Sequence, residues 1–104
     1  SDGPPPISSL IAFGILAQVQ KKDIIVKQLL PNAQKTVKEG IVADDLILEI
    51  NAKKVSSAED IDAALKAIKD DETFAIKIKR GNTEKTIQLK KLAGNFNIQT
   101  RRNH

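Results

Sequence analysis

The apolar residues change period along the chain, and each period implies an element. Ile15, Ala17 and Val19 stand at alternate positions of the stretch 15–20, the period-two pattern of a half-buried strand. Polar Lys21-Lys22-Asp23 turns the chain, and Ile24 to Leu30 reads as a second strand ending at Pro31, so the two form an antiparallel hairpin. Pro31 to Glu39 carries Ala33 and Val37 four apart between a leading Pro and Gly40, which predicts a helix of about two turns. Leu46 to Ile50 is a third strand, and Asn51 to Val55 turns into a short extended piece. Ser56, with Glu59 three residues on, has the form of a capping box opening a helix to about Lys69, with Ala58, Ile61, Ala64, Leu65 and Ile68 at helical spacing. Phe74 to Lys79 alternates, Arg80 to Thr83 turns, and Thr86 to Leu89 alternates again, a closing hairpin.

This order predicts an α+β fold, a small antiparallel barrel-like sheet of five to six strands with two helices. Residues 1–9, opening Ser1-Asp2-Gly3-Pro4-Pro5-Pro6, read as an interdomain linker, residues 10–92 as the domain, and residues 93–104 as a flexible tail. A chain of 104 residues is one domain in size and buries roughly 65% of its unfolded surface. With only Phe13, Phe74 and Phe96 as aromatics, the core must be aliphatic.

Charge and residue inventory narrow the function. The net charge of +4 is spread among acidic residues, which indicates a mixed solvated surface and no nucleic-acid partner. No apolar run approaches the ~20 residues that span a bilayer, so no direct membrane binding is expected. Cysteine is absent, which excludes thiolate catalysis and sulfur-ligated metal. The sole histidine is His104, the last residue, with no scaffold to orient it as a base. Asp44-Asp45, Glu59-Asp60-Asp62 and Asp70-Asp71-Glu72 sit where turns and a helix start are expected, so they read as turn and capping groups. No metal, cofactor or catalytic set is expected, and no phosphate-binding glycine pattern occurs.

The stretch Gly40-Ile41-Val42-Ala43-Asp44-Asp45-Leu46-Ile47-Leu48-Glu49-Ile50-Asn51-Ala52-Lys53-Lys54-Val55 resembles the most specific part of the PDZ domain family, in the bacterial-type topology found attached to proteases. Asp44 and Ala52 stand where that family usually has Gly, and Ala tolerates a left-handed backbone poorly, at about 1 kcal/mol of strain. Ala12-Phe13-Gly14-Ile15 resembles the family's carboxylate-binding loop.

The resemblance implies that an extended peptide, or a protein C-terminus with a hydrophobic last residue, adds as a strand along Ile15 to Gln20. Backbone N–H groups of Phe13, Gly14 and Ile15 would hold the carboxylate, a glycine loop letting donors converge where a side chain would obstruct. Leu16, Ala17, Gln18, Val19, Ala58, Asp62, Leu65 and Lys66 would form the groove. Phe13, Ile15, Ala17 and Leu65 would line the pocket for the last ligand residue, with roughly 1.5–3 kcal/mol from burying its side chain. Phe13, Ile15 and Leu65 suit a core equally well, and Ile61, Ala64 and Ile68 suit it better. By the same resemblance the chain is non-catalytic, the substrate-recognition or regulatory domain of a bacterial protease, with the periplasm or cell envelope favoured by analogy. The compact spacing from Gly14 to Ile24 sets it apart from the serine proteases of the high-temperature-requirement group. A structural domain whose groove holds a segment of its own parent protein is the alternative.

Overall fold

The computed structural model describes residues 3–92. The elements run α1 (Ser8–Ile11), β1 (Ile15–Gln20), β2 (Asp23–Leu29), α2 (Lys35–Gly40), β3 (Leu46–Ile50), β4 (Lys53–Lys54), α3 (Ala58–Lys66), β5 (Thr73–Arg80) and β6 (Thr83–Lys90). The strands form one sheet in the order β1-β2-β3-β5-β6, antiparallel throughout, with β4 paired to β3 off this path. The α+β fold expected from the apolar periods is thus present, with a third, four-residue helix that the pattern did not reveal.

Alternation fixes which face each strand buries. Phe74, Ile76 and Ile78 of β5 and Ile87 and Leu89 of β6 point into the core, together with Ile15, Ala17, Ile24, Val26, Ile47 and Ile50. Ile61, Ala64 and Leu65 of α3 close that core from the other side. Phe13 and Phe74 meet edge to face with centroids 5.5 Å apart, the one aromatic pair among the described residues, within an aliphatic interior.

Two helix starts differ from those expected, and α3 ends at Lys66, short of the expected Lys69. Pro31 and Asn32 lie in a turn closed by the Ala33 N–H on the Leu30 carbonyl (3.1 Å), and the Asn32 side chain reaches back to the carbonyls of Ile11 and Ala12. α2 therefore starts at Lys35, and Gln34 before it is extended and pairs its amide with the backbone of Lys90 in both directions (2.6 and 3.0 Å). Thr36 adds a bond to the Gln88 carbonyl, so α2 lies against β6. The α3 cap sits one residue later than expected: Ser57 accepts from the Asp60 N–H (3.1 Å), and Asp60 reaches back to the Ser56 N–H (2.9 Å). At the far end Lys91, nearly buried, donates to the carbonyls of Leu65 and Ile68 (2.7 Å each), where a cation suits a helix C-terminus.

A buried charge locks the loop before β3. Asp45 is fully buried and takes a two-pronged contact from Arg80 (2.7 and 2.8 Å) plus the Val42 N–H (2.9 Å), while Arg80 also reaches the Gly40 carbonyl. Burial alone would raise the Asp45 carboxyl, but the Arg80 hydrogen bond and the Val42 N–H outweigh it and hold it below the usual carboxylate range.

Candidate functional site

The site expected from the sequence is the edge of β1 facing α3. β1 is the terminal strand of the sheet, hydrogen-bonded to β2 on one side only. The opposite edge is not bare. Pro6 pairs with Gln18 as an isolated antiparallel bridge, and the Ile7 N–H donates to the Ala17 carbonyl at 2.9 Å. Residues 1–9 were expected as linker, but from Pro6 onward the segment joins the fold: Ile7 is 4% exposed and Leu10 fully buried. The physical reason is that two aliphatic side chains are buried by laying this stretch on an otherwise open strand edge. α1 then contacts both β1 and α3, so it stands between the two walls of the expected groove.

The groove residues accordingly fall into two sets. Phe13, Ile15, Ala17 and Leu65 are buried and continuous with the core. Leu16, Gln18, Val19 and Ala58 are half-buried, and Asp62 and Lys66 are exposed on α3. What stays open between Pro4–Ile7, Val19 and the start of α3 is a recess of about 320 Å³ bordered by Ser57, Ala58 and Asp62.

Two of the three expected loop donors are also engaged. The Phe13 N–H donates to the Leu10 carbonyl (3.0 Å) and the Gly14 N–H to the Ile11 carbonyl (2.9 Å), extending the turn of α1. Gly14 has φ +75°, and a Cβ there would lie 2.4 Å from the Ala33 backbone nitrogen. Glycine is thus required for the close approach of two loops as well as for backbone freedom. Gly14→Val, a natural way to block the loop, disturbs the fold itself.

The carboxylate clusters within the described residues have structural work to do. Asp45 pairs with Arg80, Asp60 caps α3, and Glu72 accepts the Lys69 N–H at 2.6 Å. Among the described residues no group of three metal-ligating side chains converges, and no helix is long and apolar enough to cross a membrane. His104 and the expected tail lie outside the described residues.

An antiparallel sheet capped by two helices, with a glycine loop leading into an edge strand beside the longer helix, defines a class of small interaction domain. The chain belongs to the PDZ domain family, whose model matches residues 12–90. No curated protein matches it. Among solved structures, an HtrA-type protease, AlgW, with a decapeptide superposes at TM-score 0.61 with 12% identity, covering 81% of this chain and 31% of that one. An aminopeptidase N family protein from Idiomarina loihiensis gives TM-score 0.63 at 18% identity, covering 80% of this chain and 14% of that one. The HtrA3 PDZ domain bound to a phage-derived ligand, FGRWV, gives 0.56 at 21%, covering 75% of this chain and 81% of that domain. The chain spans under a third of the first two proteins. Similarity of fold extends to both an HtrA-type protease and an aminopeptidase N family protein, so it does not set the chain apart from the first group as the spacing from Gly14 to Ile24 does.

Proposed function

We propose that the chain is a non-catalytic recognition module that adds an extended peptide, ending in a hydrophobic residue, to the β1 edge, and that it serves a larger protease as its substrate-recognition or regulatory domain. The carrying observation is the bond from Ile7 N–H to Ala17 O with the Pro6–Gln18 bridge, which supports the reading because this edge already accepts an antiparallel extended segment. Leu16, Gln18 and Val19 on the strand and Ala58, Asp62 and Lys66 on α3 flank the ligand, with Phe13, Ile15, Ala17 and Leu65 beneath its last side chain. Phe13, Gly14 and Ile15 supply the carboxylate donors once the turn of α1 is released. The neighbouring structures with a decapeptide and a phage-derived ligand are consistent with this reading. Micromolar affinity, about −8 kcal/mol, is the expected scale.

The same bridge favours a second reading, in which the groove permanently holds a segment of the parent chain. Titration separates them. Free-acid peptides ending in Val, Leu, Ile or Phe should bind, and amidating their termini should weaken binding at least tenfold. Equal binding of acids and amides removes the carboxylate role of the loop, and no binding at all favours the permanent segment.

A further inference from the structure

We propose that residues Pro6–Ala12 are a displaceable built-in competitor, which closes the strand edge and the carboxylate loop together and must leave both for a peptide to enter. The inference rests on the peptide-binding reading and assigns that site its regulation.

Each contact of the segment blocks a group the ligand needs. The Ile7 N–H takes the Ala17 carbonyl, and Pro6 pairs opposite Gln18, so the ligand's strand position is filled. The chain then turns: the Leu10 N–H bonds to the Ile7 carbonyl (3.2 Å), the Phe13 N–H to the Leu10 carbonyl, and the Gly14 N–H to the Ile11 carbonyl. Two donors of the loop are thereby spent on the helix that carries Ile7 into place. Unwinding α1 frees these donors and withdraws Ile7 from the edge in one movement.

Two features keep this closure weak enough to reverse. α1 has four residues, and Ile7 at its N-cap makes no side-chain capping bond. Ser9 Oγ is buried without a hydrogen-bond partner, a polar group that is better satisfied in water than in the closed state. Opening leaves β2, β3, β5 and β6 paired, because none of their registers involves residues 6–12. Apparent affinity then equals intrinsic affinity multiplied by the open fraction.

The test uses the whole chain and one probe, a fluorescent free-acid peptide pool ending in Val, Leu, Ile or Phe, read by anisotropy. Ile7→Ser loosens the segment and should tighten binding at least threefold, whereas Ser9→Ala removes the orphan hydroxyl and should weaken it about threefold. Pro6→Cys with Gln18→Cys places thiols on directly opposed residues of an antiparallel pair, a separation that suits a disulfide, in a chain with no cysteine of its own. Oxidation should cut binding at least tenfold and reduction should restore it. Equal affinity of the native chain, Ile7→Ser and Ser9→Ala overturns the proposal, as does equal affinity of the oxidised and reduced double variant. Should Ile7→Ser fail to fold, the oxidised and reduced pair decides alone. Absence of binding in every form overturns the peptide-binding reading and this inference with it, whereas binding that ignores the lock overturns this inference alone.

Discussion

Ala52 occupies a backbone conformation that its sequence neighbourhood announces and its side chain opposes. Asn51 and Ala52 have φ of +50° and +68°, and Ile50 pairs with Lys53 across them, so they form a two-residue hairpin turn with both central residues left-handed. Asn is suited to such a site, whereas alanine is strained there. Ala52→Gly should therefore raise stability by about 0.5–1 kcal/mol in urea unfolding, since relief of strain exceeds the entropy that glycine adds to the unfolded chain. An unchanged or lower midpoint would contradict this. That position was legible in the sequence through its resemblance to the family, which usually has Gly there. Asp44, at φ +76°, was legible for the same reason. The α3 cap was legible only to within one residue: Ser56 and Ser57 are both followed three residues later by an acid, and only the path of the chain chooses Ser57.

At the level of elements, the hairpins were readable because alternation is a local code, and the turns between them are short. α1 was not, since Ile7 and Leu10 acquire their burial from β1 and α3, which lie beyond the turn and far along the chain. The start of α2 was misplaced because Pro31 suits a turn as well as a helix start, and the contacts of Asn32 and Gln34 that decide between them reach Ile11, Ala12 and Lys90. The Asp45–Arg80 contact joins the loop after α2 to the end of β5 and gives a stability that depends on pH. The Asp45 carboxyl is lower in the folded than in the unfolded chain, so its contribution is complete above the unfolded value near 3.9 and is lost as pH falls through the folded value. Asp45→Asn should cost about 2 kcal/mol at pH 7 and flatten the stability profile below pH ~4. If the variant loses stability on acidification as steeply as the native chain, the contact is not the source of that dependence.

For the whole molecule, the closed segment and the sheet predict two distinct scales of opening. β5 and β6 pair along their full length from Thr73–Lys90 to Arg80–Thr83, and their amides are expected to exchange only with global unfolding. Ile7, Phe13 and Gly14 donate to the short α1 turn or across a single bridge, so their amides should exchange together at much lower free energy. Peptide binding then has a signature of mixed sign. A ligand strand along β1 protects Val19 and the strand around it, while the Ile7 amide, displaced from the Ala17 carbonyl, loses protection. Phe13 and Gly14 pass from donors in a helical turn to donors on a carboxylate, so their shifts change while protection persists. Hydrogen exchange followed by NMR with and without saturating free-acid peptide measures all of these amides at once. Ligand that raises protection at Ile7 together with Val19 would mean that it binds over the closed segment. A fall at Ile7 with a rise at Val19 is the outcome that competition for one strand edge requires.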